Sequence, residues 1–122
     1  MDTNKQPTVS QILEMMQGAM NNELPKSIDL ASKVMPEMVY EQVKNSAFAM
    51  PKENGAIDAE NRTLIYLAVA LATGSKQCIK AMTNKAKAQN ISKEKLLETF
   101  KIARYAEASR VLGNADVLFE NL

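Results

Sequence analysis

Histidine and tryptophan are absent from the 122 residues, cysteine occurs once, and glycine and proline occur four times each. Without histidine, no side chain has an unperturbed pKa near neutrality, which excludes a Ser-His-Asp arrangement and a histidine proton shuttle. A single cysteine excludes a disulfide framework and any internal dithiol cycle, and it agrees with a reducing compartment. No Gly-rich phosphate loop or zinc-ligand spacing occurs. Charge is nearly balanced, 15 basic residues against 14 acidic for a net +1, so neither nucleic acid nor an anionic membrane surface is expected as a partner. Long apolar runs are missing too. The longest, Leu64 to Ala72, is less than half of the roughly 20 residues that span a bilayer, and the opening MDTNKQPTVSQ lacks the apolar core of a secretory signal. The expectation is a soluble, cytoplasmic protein.

What remains is rich in Ala, Met, Leu, Lys and Glu, with no clustering of β-branched residues, and reads as all-α. Residues 1–7 carry no periodic pattern and are read as a frayed tail, leaving residues 8–122 as a single compact helical domain of about six to seven helices. A first helix is expected from Val9 to Asn21, burying Ile12, Leu13, Met16, Met20 and Met15. Pro25 fits the first turn of a second helix, and Pro36 the start of a third that carries Met38, Val39, Val43 and Phe48. Met50 to Gly55 is a loop, after which Asp58 caps a long fourth helix with Glu60 well placed for its dipole.

Gly74 ends that helix and Ser75 caps a fifth, Ser75 to Gln89. Here Ser75, Cys78, Ile79, Met82 and Ala86 share one side, and Lys76, Lys80, Asn84 and Lys87 form the solvated other. Ser92 caps a sixth helix, expected to bury Leu96, Leu97, Phe100, Ala103 and Ala106, and Gly113-Asn114 leads into a final short one. The fourth helix is apolar all round, from Leu64 to Ala72. Such a helix must be covered on every side. Six helices of one small subunit hardly suffice, so a second subunit is expected to complete the core.

Chemistry has one place to sit. Cys78 falls three positions into the fifth helix, where free backbone N–H groups and the helix dipole favour a thiolate, the nucleophilic form of the residue. Against this stands the ordinary behaviour of free cysteine as a small buried hydrophobe. Thr63 and Tyr66 share a face of the fourth helix that leads toward the Cys78 corner, and with Met82 they are the expected pocket walls. Tyr105 is a further wall residue. Eight methionines at helical core spacing read as gap fillers, and Glu37/Glu41 and Glu94/Glu98 pair at i, i+4 without histidine, so no metal and no cofactor are expected.

The run IDAENRTLIYLAVALATGSKQCIKAMTNKAKA, residues 57–88, resembles the signature segment of the carboxymuconolactone decarboxylase family, which includes the alkylhydroperoxidase D-type peroxidases. Ile57-Asp58 and Arg62 match the entry, the Ala/Leu/Val helix and Thr73-Gly74 the middle, and Cys78 the second cysteine of Cys-x-x-Cys, the one that attacks peroxide in those enzymes. The likeness extends over roughly residues 30 to 118. It implies an alkylhydroperoxidase D-like helical fold and a homo-oligomer, trimer or hexamer. The departures fall on the chemistry: Ser75 stands in place of the resolving cysteine, Met82 of the histidine and Thr63 of the proton-relay glutamate.

The leading reading is therefore one-cysteine thiol chemistry, with Cys78 attacking a peroxide, Ser75 hydrogen-bonding the thiolate, and an external thiol as reductant. Two others stay open at this level. One is a catalytically inactive oligomeric binding or structural module on the same scaffold. The other is a lactone decarboxylase using Arg62 and Arg104 as the only internal cations for the substrate carboxylates.

Overall fold

The computed structural model describes residues 6–122, and among them seven helices and no strands. They are α1 (Val9–Ala19), α2 (Lys26–Val34), α3 (Glu37–Ala49), α4 (Ala59–Thr73), α5 (Lys76–Ala88), α6 (Lys93–Asn114) and α7 (Asp116–Glu120). The all-α expectation holds, and the helices start where their caps dictate. Thr8, Asp58, Ser75 and Ser92 each accept a hydrogen bond from the backbone N–H three residues on, which satisfies one of the free donors of the first turn. Thr8 and Gln11 close a reciprocal capping box. Pro25 and Pro36 stand just before α2 and α3, where a missing N–H costs nothing.

The stops are left-handed residues. Gly74 has φ +81°, and the N–H of Ser75 reaches back to the carbonyl of Ala70 at 3.1 Å. Asn90, at φ +58°, does the same after α5, with Ile91 N–H donating to Ala86 at 2.9 Å. Asn21 and Asn22 turn the chain after α1, which ends two residues earlier than its apolar pattern suggested. Of the expected tail, residues 1–5 lie outside the described residues. Pro7 is tied down, its carbonyl accepting from the Tyr40 hydroxyl at 2.9 Å.

α4 is the hub. It packs most extensively on α5 and α6, while α3 gathers α1 and α2. The core is small: Leu67, Ala81 and Met82 are buried, and Met20, Leu71, Ile79 and Leu96 close around them. Thr63 and Val39 are the largest fully buried side chains. Asn84, expected on the solvated face of α5, is instead 9% exposed, because Nδ2 donates to Glu23 Oε2 at 3.0 Å. Glu23 also pairs with Lys80 at 2.5 Å and so folds the α1–α2 connection onto α5. Those bonds, from Lys80 first and Asn84 next, hold the Glu23 carboxyl below its ordinary 4.5.

Other expected core positions are exposed in the single chain. Leu97 and Phe100 on α6 are each 50% exposed, Met15, Val43 and Ala106 lie open, and Phe48 on α3 is 89% exposed. α4 itself buries only the stripe Thr63, Leu67 and Ala70, and leaves Ile65 and Val69 half open. The accessible area is 9356 Å² for 13.5 kDa. A compact monomer of that mass exposes about 6,500 Å². No helix among the described residues is long and apolar enough to cross a membrane.

Truncating Leu67 to Ala at the centre of this core is expected to cost about 2–5 kcal/mol in denaturant unfolding. Glu23→Gln tests the clasp on α5. A carboxyl held below its ordinary value stabilises the fold above about pH 4.5, and the effect is lost as pH falls through the native value. The variant should therefore melt slightly below the native protein at pH 7, and the difference should shrink as pH falls below about 4.5.

Candidate functional site

The two-residue link Gly74-Ser75 folds α5 back antiparallel along α4, so residues on either side of the break come together. Cys78 sits in the first turn of α5, partly buried, and its Sγ lies 3.6 Å from the hydroxyl of Tyr66 on α4, hydrogen-bond distance for sulfur. The hydrogen bond to Cys78, followed by burial and then by the charge of the thiolate, raises the Tyr66 pKa above its usual 10. The phenol thus keeps its proton throughout the neutral range. Tyr66 is 37% exposed, so this pair is open at the surface of the subunit.

Ser75 contributes differently. Its Oγ accepts the backbone N–H of Cys78 at 3.3 Å, a helix cap, and the contact to the sulfur belongs to Tyr66. Met82 is 6% exposed and packs with Leu67 and Ala81, one turn along α5 from the cysteine. Thr63 is completely buried, its hydroxyl 2.7 Å from the side-chain oxygen of Gln89 and 3.1 Å from the Ala59 carbonyl. One hydroxyl proton serves one acceptor at a time, so this is a neutral, shared bond. Where the resemblance expects a glutamate and a histidine, the chain holds a neutral hydrogen-bonded pair and a thioether. No buried charge needs compensation there.

The two best-formed cavities lie elsewhere. One, of about 220 Å³ and open to solvent, lies between the Glu23–Lys26 segment and Gln77, Lys80, Ala81 and Asn84 of α5. The other, of about 230 Å³, runs between Leu71-Ala72 and the Phe100–Glu107 face of α6, and includes Arg104. Neither is lined by Cys78, Tyr66, Thr63 or Met82. Tyr105, also read as a wall, is 75% exposed. Arg62 binds the Met50–Gly55 loop, Nη1 donating to the Pro51 carbonyl and Nε to that of Asp58 at 3.4 Å. A Cβ on Gly55 would sit 3.3 Å from Nη1, a tight contact that a shift of the guanidinium by a few tenths of an ångström would relieve. Arg62, on α4, is thus engaged by the loop, Arg104, on α6, lines the second cavity, and neither of the two cavities joins them with Cys78.

Sequence reasoning missed two partners. Gln89 was not singled out, although it follows Met82 by two turns on the α4-facing stripe and so had to meet an α4 residue. Lys85 lies between them and is half-buried. Burial, then the neighbouring positive charge of Arg62, lowers its pKa from the ordinary lysine value. Among the described residues no three His, Cys, Asp or Glu side chains converge in a metal-binding group.

No curated protein matches the chain. The model of the carboxymuconolactone decarboxylase family matches residues 38–115, a stretch that takes in α4, the Gly74 turn and the Cys78 helix, while α1 and α2 lie outside it. Because the match covers more than half of the sequence, the chain belongs to the carboxymuconolactone decarboxylase family.

Proposed function

We propose that this protein is a one-cysteine, peroxide-reactive member of its family, with Cys78 as the nucleophile and Tyr66 as the proton-holding group beside it. The observation that carries the reading is the 3.6 Å contact between Tyr66 Oη and Cys78 Sγ, an O–H donor set against the one thiol of a chain without histidine.

The Cys78 thiolate attacks the terminal oxygen of a hydroperoxide ROOH. An S–O bond forms as the O–O bond breaks, leaving Cys78 as a sulfenic acid and expelling RO⁻. Tyr66 gives that oxygen a proton, so that ROH departs, and regains one from solvent. With no second thiol in the chain, an external thiol condenses with the sulfenic acid, releasing water and forming a mixed disulfide. A second external thiol then frees Cys78 and leaves as the oxidised disulfide. Ser75 serves by capping the helix that presents the sulfur, and the neutral Thr63–Gln89 pair and Met82 form the backing behind it. Such a cycle needs a reducing, thiol-rich compartment, for which the cytoplasm is the natural setting.

Self-association is the second part of the proposal, as a trimer or hexamer in keeping with the family. Its support is the excess of about 2,800 Å² of surface over a compact monomer, and the twenty-one large apolar side chains among the described residues that stay exposed on one subunit. An excess of that size falls in the range of obligate interfaces.

Three outcomes are expected. Treatment with an organic hydroperoxide should let a sulfenate-specific probe label Cys78, and labelling no greater than in the unfolded chain overturns the reading. Tyr66→Phe removes the donor to the thiolate and should slow alkylation of Cys78 at pH 7 by roughly threefold for each 1.4 kcal/mol of hydrogen bond lost, the gain in nucleophilicity offsetting part of the loss in thiolate. Light scattering should give a mass several times the 13.5 kDa subunit, and Phe48→Glu should shift it downward. A monomeric native protein would end the assembly part alone.

A further inference from the structure

The segment joining α1 to α2 lies over α5 without filling the space between them. Three side-chain bonds hold it there. Lys80 Nζ and Asn84 Nδ2 donate to the two oxygens of Glu23, at 2.5 and 3.0 Å, and the Ser27 N–H donates to Gln77 Oε1 at 3.2 Å. Glu23, Gln77, Lys80 and Asn84 also line the open cavity of about 220 Å³. At about 30 Å³ of liquid volume per water, that space suits a molecule of about seven heavy atoms.

The same bonds decide which end of each amide is left over. A carboxylate only accepts, so Glu23 takes the NH₂ of Asn84 and leaves its carbonyl oxygen without a donor among the described residues. Asn84 is nevertheless only 9% exposed. Every fully enclosed side-chain N or O among the described residues has a partner, so this oxygen reaches water, and it does so at the cavity that Asn84 lines. Gln77 is turned the other way: its oxygen is used on Ser27, and its NH₂ is free. Lys80 spends one of its three N–H groups on Glu23. Pro25 and Lys26 bring the start of α2 to the same cavity with no side chain capping it, and a helix start favours an anion. Lys26 and Lys80 against Glu23 leave the lining one positive charge in excess.

We propose that this cavity binds a short hydroxy acid. Its carboxylate meets Lys80, the Gln77 NH₂ and the start of α2, its hydroxyl donates to Asn84 Oδ1, and its carbon body lies against Leu24 and Ala81. The site is separate from Cys78, which does not line it, and it stands whether or not the thiol reacts with peroxide. A ligand there bridges α5 and the segment before α2, and so ties α1 and α2, which lie outside the family match, to the helix that carries the thiol.

The test is an NMR titration of the whole, isotope-labelled chain with L-lactate, set against propionate, which lacks the hydroxyl, and lactamide, which lacks the charge. The signals read are the side-chain NH₂ groups of Asn84 and Gln77 and the backbone amide of Lys26. Lactate is expected to shift all three saturably. Propionate should bind about fivefold more weakly, for the one hydrogen bond lost, and lactamide should not saturate. Gln77→Glu keeps an oxygen for the Ser27 N–H but sets a carboxylate against the ligand. It should weaken lactate roughly tenfold, while an unmoved Asn84 NH₂ signal in the free protein shows that the Glu23 bonds are intact. The absence of a saturable shift with lactate, equal binding of lactate and either analogue, or undiminished binding by Gln77→Glu each overturns the site.

Discussion

The close of α4 at Gly74 is the constraint on which the site depends. At φ +81° the backbone takes a conformation that costs an L side chain about 1–2 kcal/mol, and the N–H groups of Gly74 and Ser75 both fold back to the Ala70 carbonyl. That turn reverses the chain within two residues. It leaves Ser75 extended and able to cap α5, and it sets the first turn of α5 against the third turn of α4. Cys78 meets Tyr66 for that reason alone. A looser link would leave the thiol at a helix start with no defined partner.

The residues behind the thiol share a second property, which is neutrality. Thr63 and Gln89 satisfy each other in the interior, and Met82 fills the core beside Leu67. A charged group in the fully buried place of Thr63 would need a partner of opposite sign, and the side chains packed there, Gln89 and Met82, are neutral. The hydroxyl that lies against the sulfur is that of Tyr66, at the surface of the subunit.

The surface shows the same economy of a small subunit. Leu67, Ala81 and Met82 make a modest core, and much apolar area on α3, α6 and α7 stays open. α1 and α2, outside the family match, are attached through the Glu23 clasp on Lys80 and Asn84, through the Gln77 bond to Ser27 N–H, and through Met20 against the core. All but the Met20 packing are polar contacts.

The sequence by itself determined the helices, because caps and stops are local. Thr8, Asp58, Ser75 and Ser92 each bond within their own first turn, and Gly74 and Asn90 each end a helix through their own backbone. The family was legible for the same reason, since its signature is one continuous segment. The single thiol was legible as composition. Partnership was not, because it depends on how helices rotate against each other. Only the tertiary structure decided that Tyr66 rather than Ser75 touches the sulfur, that Thr63 turns inward to Gln89, and that Asn84 is buried by a glutamate 61 positions away. The same holds for burial. Leu97, Phe100 and Phe48 have the spacing of core residues, but one subunit offers no neighbouring surface to cover them, and a periodic pattern states that a face is apolar without stating what lies against it.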